Sequence, residues 1–283
     1  MRVHYKKFGG YGVQVAKNDG AQIAYESFGV AGGEPLLLIM GLDFSMIWWP
    51  DAFCELLADR GFHVVRFDNR DSGLSTRGIP GYTTADMVAD GLAVMDAVGW
   101  RSAHVIGASL GSTLAMATAI LHPERVRSIV GLYTTPWRQI DTLRYLKPAG
   151  ILGLVRAARR AGPDPTDVTV AIARAMASPR EAFDEEWARR TAELDTARGG
   201  RDPAGTRRQM ASGRGAGDLS RRVGEISVPT LLINGADDPI VRPAAAAALA
   251  RRIPGARSEV YPAMGHSFPA AVWGRVADGV TVG

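Results

Sequence analysis

The chain has 283 residues, 46% hydrophobic and 22% charged, with one cysteine and a formal net charge of +4. That balance excludes a disordered chain, a fibrous repeat and a disulfide-stapled mini-protein, and the length fits one large domain or one domain carrying an insertion. No run approaches the roughly 18 apolar residues that a spanning helix needs, and the basic N-terminal stretch has no apolar segment behind it, so the expectation is a cytoplasmic protein without membrane contact.

In chain order, GVQVAK and IAYESFG read as two strands around the Asn18-Asp19-Gly20 turn, a strong hairpin signal. PLLLIMG is a continuous apolar run ending in glycine, as a buried parallel strand would be. PDAFCELLADRG follows as a helix opened by Pro50 and closed by Gly61, with Cys54 among its packing positions. FHVVRFD is another buried strand. TTADMVADGLAVMDAVG is an amphipathic helix with Thr83 or Thr84 as its cap and Gly99 past its end. SAHVIGASLGSTLAMATAILHPERV reads as strand, tight turn and helix, and RSIVGLY as a further strand.

After Tyr133 this rhythm stops. Residues 134–222 carry helical patterns broken by Gly and Pro clusters, and no convincing strand. Residues 138–222 hold 17 basic and 11 acidic side chains. The arginines alternate with acids, as in SPREAFDEEWARRTAELDTARGG, which reads as solvated helix faces and gives no expectation of a nucleic-acid partner. The rhythm resumes with VPTLLINGADDPIV, an alanine-rich helix, SEVYPAMGHSFP and a short final helix. The expectation is an α/β fold: an eight-stranded, mostly parallel sheet flanked by helices, with an antiparallel edge. Residues 1–133 and 223–283 form its core. Residues 134–222 form a helical cap above the carboxyl ends of the strands, where ligands bind in open α/β sheets.

Gly107-Ala108-Ser109-Leu110-Gly111 lies between a buried strand and a good helix. In that context Ser109 sits on a strained strand-to-helix turn with its hydroxyl exposed, facing the positive end of the helix behind it. The pattern alone is weak, since a serine in such a turn also serves as a plain cap. A serine nucleophile needs a base. His4 lies near the terminus, His63 and His104 open strands at the far end of the sheet, and His122 ends the helix after Ser109. His266, in the loop after the last strand, is the one placed to reach the catalytic edge. Asp237 and Asp238 directly follow a buried strand, and local physics does not choose between them as the partner of His266. The N–H groups of Leu110 and, beyond Gly41, of Leu42 are the expected oxyanion donors. No metal and no organic cofactor are expected.

These residues resemble the α/β-hydrolase superfamily over nearly the whole chain, and are most similar to the small esterases typified by aclacinomycin methylesterase, a polyketide-tailoring enzyme. The resemblance is carried by LLLIMGLDFSMIWWPDAFCELLADRGFHVVRFDNRDSGLST, HVIGASLGSTLAMATAILHPERVRSI, RDPAGTRRQMA and VPTLLINGADDPIV…PAMGHSFP. The superfamily's GxxD spacing begins at Gly235 and selects Asp238 over Asp237. Asp68, Arg70, Gly73 and Ser75 match a structural stretch of the superfamily in which Asp71 occupies a usually small position. Met40-Gly41 replaces the frequent His-Gly, and Asp43 replaces a usually small residue, where it is expected to reshape the oxyanion loop or to face the ligand. The resemblance implies hydrolysis of a carboxylic ester through an acyl-enzyme on Ser109. Lactone hydrolysis, perhydrolysis, carbon–carbon cleavage and a non-hydrolytic ligand-binding role stay open as alternatives.

Trp48 and Trp49 follow the oxyanion loop, Trp137 opens the cap, and Phe44, Met46 and Ile47 add apolar surface. One of Trp48 and Trp49 is expected to pack the following helix, but not both. Asp43, Phe44, Trp48 and Trp137 are the expected substrate contacts, and a small-molecule ester with a bulky apolar or aromatic acyl group is the expected partner.

Overall fold

The computed structural model of the chain describes residues 12–135, 143–213 and 219–281. Strands β1 (Gln14–Asn18) and β2 (Ala21–Phe28) pair antiparallel, with Asn18 opposite Ala21. The connection is Asp19-Gly20, both at positive φ (40° and 79°), the mirror-image turn that suits a two-residue hairpin. Strands β3 (Glu34–Ile39), β4 (Phe62–Phe67), β5 (Ala103–Ala108), β6 (Val126–Leu132), β7 (Thr230–Gly235) and β8 (Arg257–Tyr261) complete the sheet. The spatial order is β1-β2-β4-β3-β5-β6-β7-β8. β2 runs antiparallel to β4, and every pairing from β4 to β8 is parallel. The eight-stranded, mostly parallel sheet of the sequence reading is thus present. Its winding reverses between β3 and β5, so the crevice at their carboxyl ends is the switch point at which open sheets bind ligands.

Every residue of β4 and of β7 is buried, because helices cover both faces of the sheet. Helices α1 (Asp51–Asp59), α2 (Thr84–Ala97) and α3 (Leu110–Leu121) follow β3, β4 and β5. Thr83 caps α2 through a reciprocal box with Asp86, which settles Thr83 over Thr84. Pro50 is the residue before α1 rather than its first turn. Phe53, Cys54 and Leu57 of α1 point inward, and burial pushes the Cys54 thiol up to about 12, far from reactive.

Between β6 and β7 lie α4 (Pro148–Arg160), α5 (Pro165–Met176), α6 (Glu185–Ala197) and α7 (Pro203–Ser212). The last three share one device. Asp164, Asp184 and Asp202 each accept backbone N–H groups of the first turn. The Gly and Pro clusters that interrupt the sequence pattern are therefore helix boundaries. Helices α8 (Ala244–Ala250) and α9 (Trp273–Thr281) close the fold.

The inserted helices are tied to the core by buried polar contacts. Arg208 of α7 grips Asp71 at 2.7 and 2.9 Å, and Gln209 donates to Arg70 O at 2.8 Å. Arg198, at the end of α6, reaches Asp68 at 2.9 Å. Asp71 has a positive φ of 69°, and a Cβ on Gly205 would meet its Cβ at 2.9 Å. The departure at Asp71 is thus a docking point for α7.

Candidate active site

Between β5 and α3 the chain turns at Ser109, with φ 53° and ψ −113°. A non-glycine residue there is strained and persists only where its surroundings fix it. The surroundings are close. A Cβ on Gly107 would fall 2.2 Å from Gly111 O, and one on Gly111 would fall 2.0 Å from Ile39 O. Ser109 N–H donates to Leu132 O at 2.8 Å, so the neighbouring strand also holds the turn. Leu110 is the first residue of α3, and its N–H has no intrahelical acceptor. Gly41 packs against the same turn: a Cβ there would lie 3.2 Å from Ala108 O and 3.3 Å from Ser109 Cβ. The next residue, Leu42, lines the cavity above Ser109. Asp43 N–H is engaged by Gln209 Oε1 at 2.8 Å.

The two adjacent aspartates have different surroundings. Asp238 is wholly buried, and its Oδ2 lies 2.7 Å from His266 Nδ1. Its Oδ1 accepts from Ile240 N–H and Val241 N–H at 2.7 and 2.8 Å, which fixes the carboxylate plane. Asp237 instead meets Ser178 at 2.5 Å and Arg180 at 2.7 Å, and those contacts hold its carboxyl below the usual carboxylate range. The His266 loop is anchored to the insertion. His266 N–H donates to Met176 O at 2.8 Å, and a Cβ on Gly265 would fall 2.2 Å from that same oxygen. Among the described residues, neither the Ser109 hydroxyl nor His266 Nε2 has a hydrogen-bond partner, and both residues line one cavity. His63 bonds Trp100 and His104 bonds Ser128 and Glu34, all at the opposite end of the sheet.

That cavity measures about 1150 Å³. Phe44, Trp48 and Trp187 form an edge-to-face ladder in its wall, with centroids 4.9 and 5.5 Å apart. Trp48 Nε1 reaches Asp195 Oδ2 at 3.3 Å. Trp49 packs on Phe53 and Phe268. The expectation that Trp48 and Trp49 would not both be core needs correction: they are 8% and 0% exposed. The insertion is the reason, since Trp187 of α6 covers the outer face of Trp48. Trp137 lies outside the described residues. Asp43, at φ 68°, is bridged to Arg201 at 2.6 Å, and Arg201 also lies over the Phe44 ring. Among the described residues no group of three or more His, Cys, Asp or Glu is arranged to hold a metal ion, and no helix is long and apolar enough to cross a membrane.

Several wall residues had no signal in the sequence. Tyr133 follows β6 at φ 54°, lies tilted against His266 and buries its hydroxyl with no hydrogen-bond partner among the described residues. Glu181 accepts from Ser267, the neighbour of His266, at 3.0 Å, and burial pushes its carboxyl above the usual range. Gln209 and Trp187 lie in helical stretches of ordinary composition, and Arg201 lies in the loop between α6 and α7. Of these, only Arg201 and Gln209 fall in RDPAGTRRQMA, a stretch that carries the resemblance.

Residues 34–269 match the family described as the alpha/beta hydrolase fold. Two rhodomycin D methylesterases are similar to the chain. DnrP of Streptomyces peucetius is 30% identical, over 90% of this chain and 92% of its own. DauP of Streptomyces sp. (strain C5) is 34% identical, over 87% and 89%. Among solved structures, a hydrolase from Pseudomonas aeruginosa superposes with a TM-score of 0.75 at 27% identity, covering 98% of this chain and all of that one.

Proposed function

The chain belongs to the alpha/beta hydrolase fold family, and from that premise we propose that it is a serine esterase acting through an acyl-enzyme on Ser109. The observation that carries this reading is the 2.7 Å contact between Asp238 and His266 at a cavity that also holds the strained Ser109. Asp238 holds Nδ1 protonated and leaves Nε2 free to act as base. Ser109 Oγ attacks the ester carbonyl carbon while His266 Nε2 takes its proton. The tetrahedral oxyanion is met by the N–H groups of Leu42 and Leu110, the latter at the positive end of α3. Collapse expels the alcohol, which leaves with the proton from His266. Water then attacks the acyl-enzyme with His266 as base, releasing the acid and restoring Ser109.

The substrate is a methyl ester of a bulky aromatic or polyketide acid. Supporting this are the cavity's size, its aromatic ladder of Phe44, Trp48 and Trp187, and the likeness to methylesterases whose names specify rhodomycin D. In this reading Phe44 and Trp48 contact the acyl group, while Asp43 braces the oxyanion loop through Arg201 and Gln209. The test is labelling with a fluorophosphonate, followed by peptide mapping, alongside methanol release from methyl esters of aromatic acids. The expected result is modification of Ser109 and methanol release that Ser109→Ala abolishes. Well-folded protein that takes no label, or takes it elsewhere, overturns the reading.

A further inference from the structure

The charged side chains of the cavity wall are almost all paired. Arg66 meets Glu26 and Asp51, Arg180 meets Asp237, Arg190 meets Glu186, Arg198 meets Asp68, and Arg201 meets Asp43. Of the lining carboxylates, Asp43 and Asp51 are thus neutralised, and Asp184 is exposed and caps α6 through Trp187 N–H. Glu181 is half-buried and differs from all of these. Its partners among the described residues are the Ser267 hydroxyl and the Ser178 backbone N–H, and no cation. An anion in a largely apolar wall without a cation is costly to desolvate, and burial accordingly disfavours its charged form.

We propose that Glu181 recognises a cationic group on the ligand, an alkylammonium carried by the ester substrate. The proposal rests on the esterase reading only for the ligand's being an ester. An ammonium entering the cavity supplies the missing counter-charge. The rings of Tyr133 and Phe268 also line the cavity, and aromatic faces attract alkylammonium groups. Ser267 directly follows His266, so a cation bound at Glu181 anchors the ligand one residue from the proposed base.

The experiment is calorimetric titration of the full chain with two naphthalene probes that contain no ester. One ends in a trimethylammonium group and the other in the isosteric neutral tert-butyl group. The expected result is about tenfold tighter binding of the cationic probe, equivalent to about 1.4 kcal/mol, and a ratio near one in Glu181→Gln. Equal affinities in the wild type overturn the proposal without recourse to any variant, and so does failure of both probes to bind. A preference that survives Glu181→Gln but disappears in Asp184→Asn also overturns it. The fluorophosphonate test is separate. Cation preference with Ser109 unlabelled keeps this inference and removes the esterase reading, and labelling without cation preference does the reverse.

Discussion

The ring of Tyr133 lies 4.7 Å from the imidazole of His266, tilted by 38°. It gets there because the chain leaves β6 through a left-handed residue, φ 54°, while Thr134 N–H is caught by Asn234 Oδ1 at 2.9 Å. Burial, then the charges of Asp238 and Glu181, push the Tyr133 phenol well above its ordinary range. The side chain is therefore a neutral platform under the histidine, and its hydroxyl has no hydrogen-bond partner among the described residues.

This leads to an expectation about stability. A buried, unpaired hydroxyl carries a desolvation penalty of about 1–3 kcal/mol. Tyr133→Phe should remove it and raise the thermal unfolding temperature. Tyr133→Ala should cost about 3–5 kcal/mol by leaving a cavity beneath His266. Chemical denaturation of the three proteins ranks them. Destabilisation by Tyr133→Phe would show that the hydroxyl has a partner after all.

The neighbouring aspartates give a second test. On the proposed mechanism Asp238→Asn leaves His266 in the wrong tautomer, with a loss in kcat approaching 10⁴. Asp237→Asn weakens the contacts with Arg180, whose side chain is 55% exposed, and with Ser178, neither of which touches His266, and should change activity by less than about fivefold, on the order of 1 kcal/mol. Steady-state kinetics on an activated ester separate the two. A larger loss at Asp237 would refute the assignment of the acid.

Acid should loosen the docking of α7. Burial opposes ionisation of Asp71, but Arg208, Gly78 N–H and Tyr82 OH outweigh it and hold the carboxyl below the usual carboxylate range. The unfolded chain then protonates before the folded one. The stability that Asp71 contributes is complete above about pH 4 and is lost as pH falls through the lower folded value. Asp71→Asn should cost about 1.5–3 kcal/mol at neutral pH, the range for hydrogen bonds to charged groups. Melting curves of wild type and variant should converge as the pH drops below 4. A gap that widens on acidification contradicts the role given to Asp71.

What the sequence disclosed and what it hid follow from the range of the interactions. Strand periodicity, the Asp19-Gly20 turn and the glycines around Ser109 are local, so they are written in neighbouring residues. The partner of His266 lies 28 positions away, and chain-local physics left Asp237 and Asp238 equivalent. The resemblance chose between them, and in the structure only Asp238 contacts His266. The roles of Asp43 and Asp71 depend on Arg201, Gln209 and Arg208, which lie 158, 166 and 137 positions away. No pattern within a helix announces such contacts. The burial of Trp48 likewise depends on Trp187 of α6, which meets it edge-on from the insertion.

Trp187 offers the sharpest test of what the cavity takes. It stands on α6, meets Trp48 edge-on at 5.5 Å and lines the cavity. Its backbone N–H donates to the capping Asp184 at 2.9 Å, so its backbone position does not depend on its ring. Trp187→Ala therefore opens the wall while α6 keeps its cap. An aromatic acyl group that packs on this ring gains about 1.5–3 kcal/mol from burial, together with a smaller term from the edge-to-face geometry. An acetyl group has no aromatic face to pack on this ring. For a methyl ester of a polycyclic aromatic acid, KM should rise roughly tenfold or more, about 1.4 kcal/mol, with little change in kcat. For an acetate ester of an activated phenol, kcat/KM should change by less than about threefold. Equal losses on both esters would make Trp187 a prop for Trp48 rather than a ligand contact. A wild type that hydrolyses acetate esters far better than bulky aromatic ones would overturn the assignment of this cavity to an aromatic acyl group.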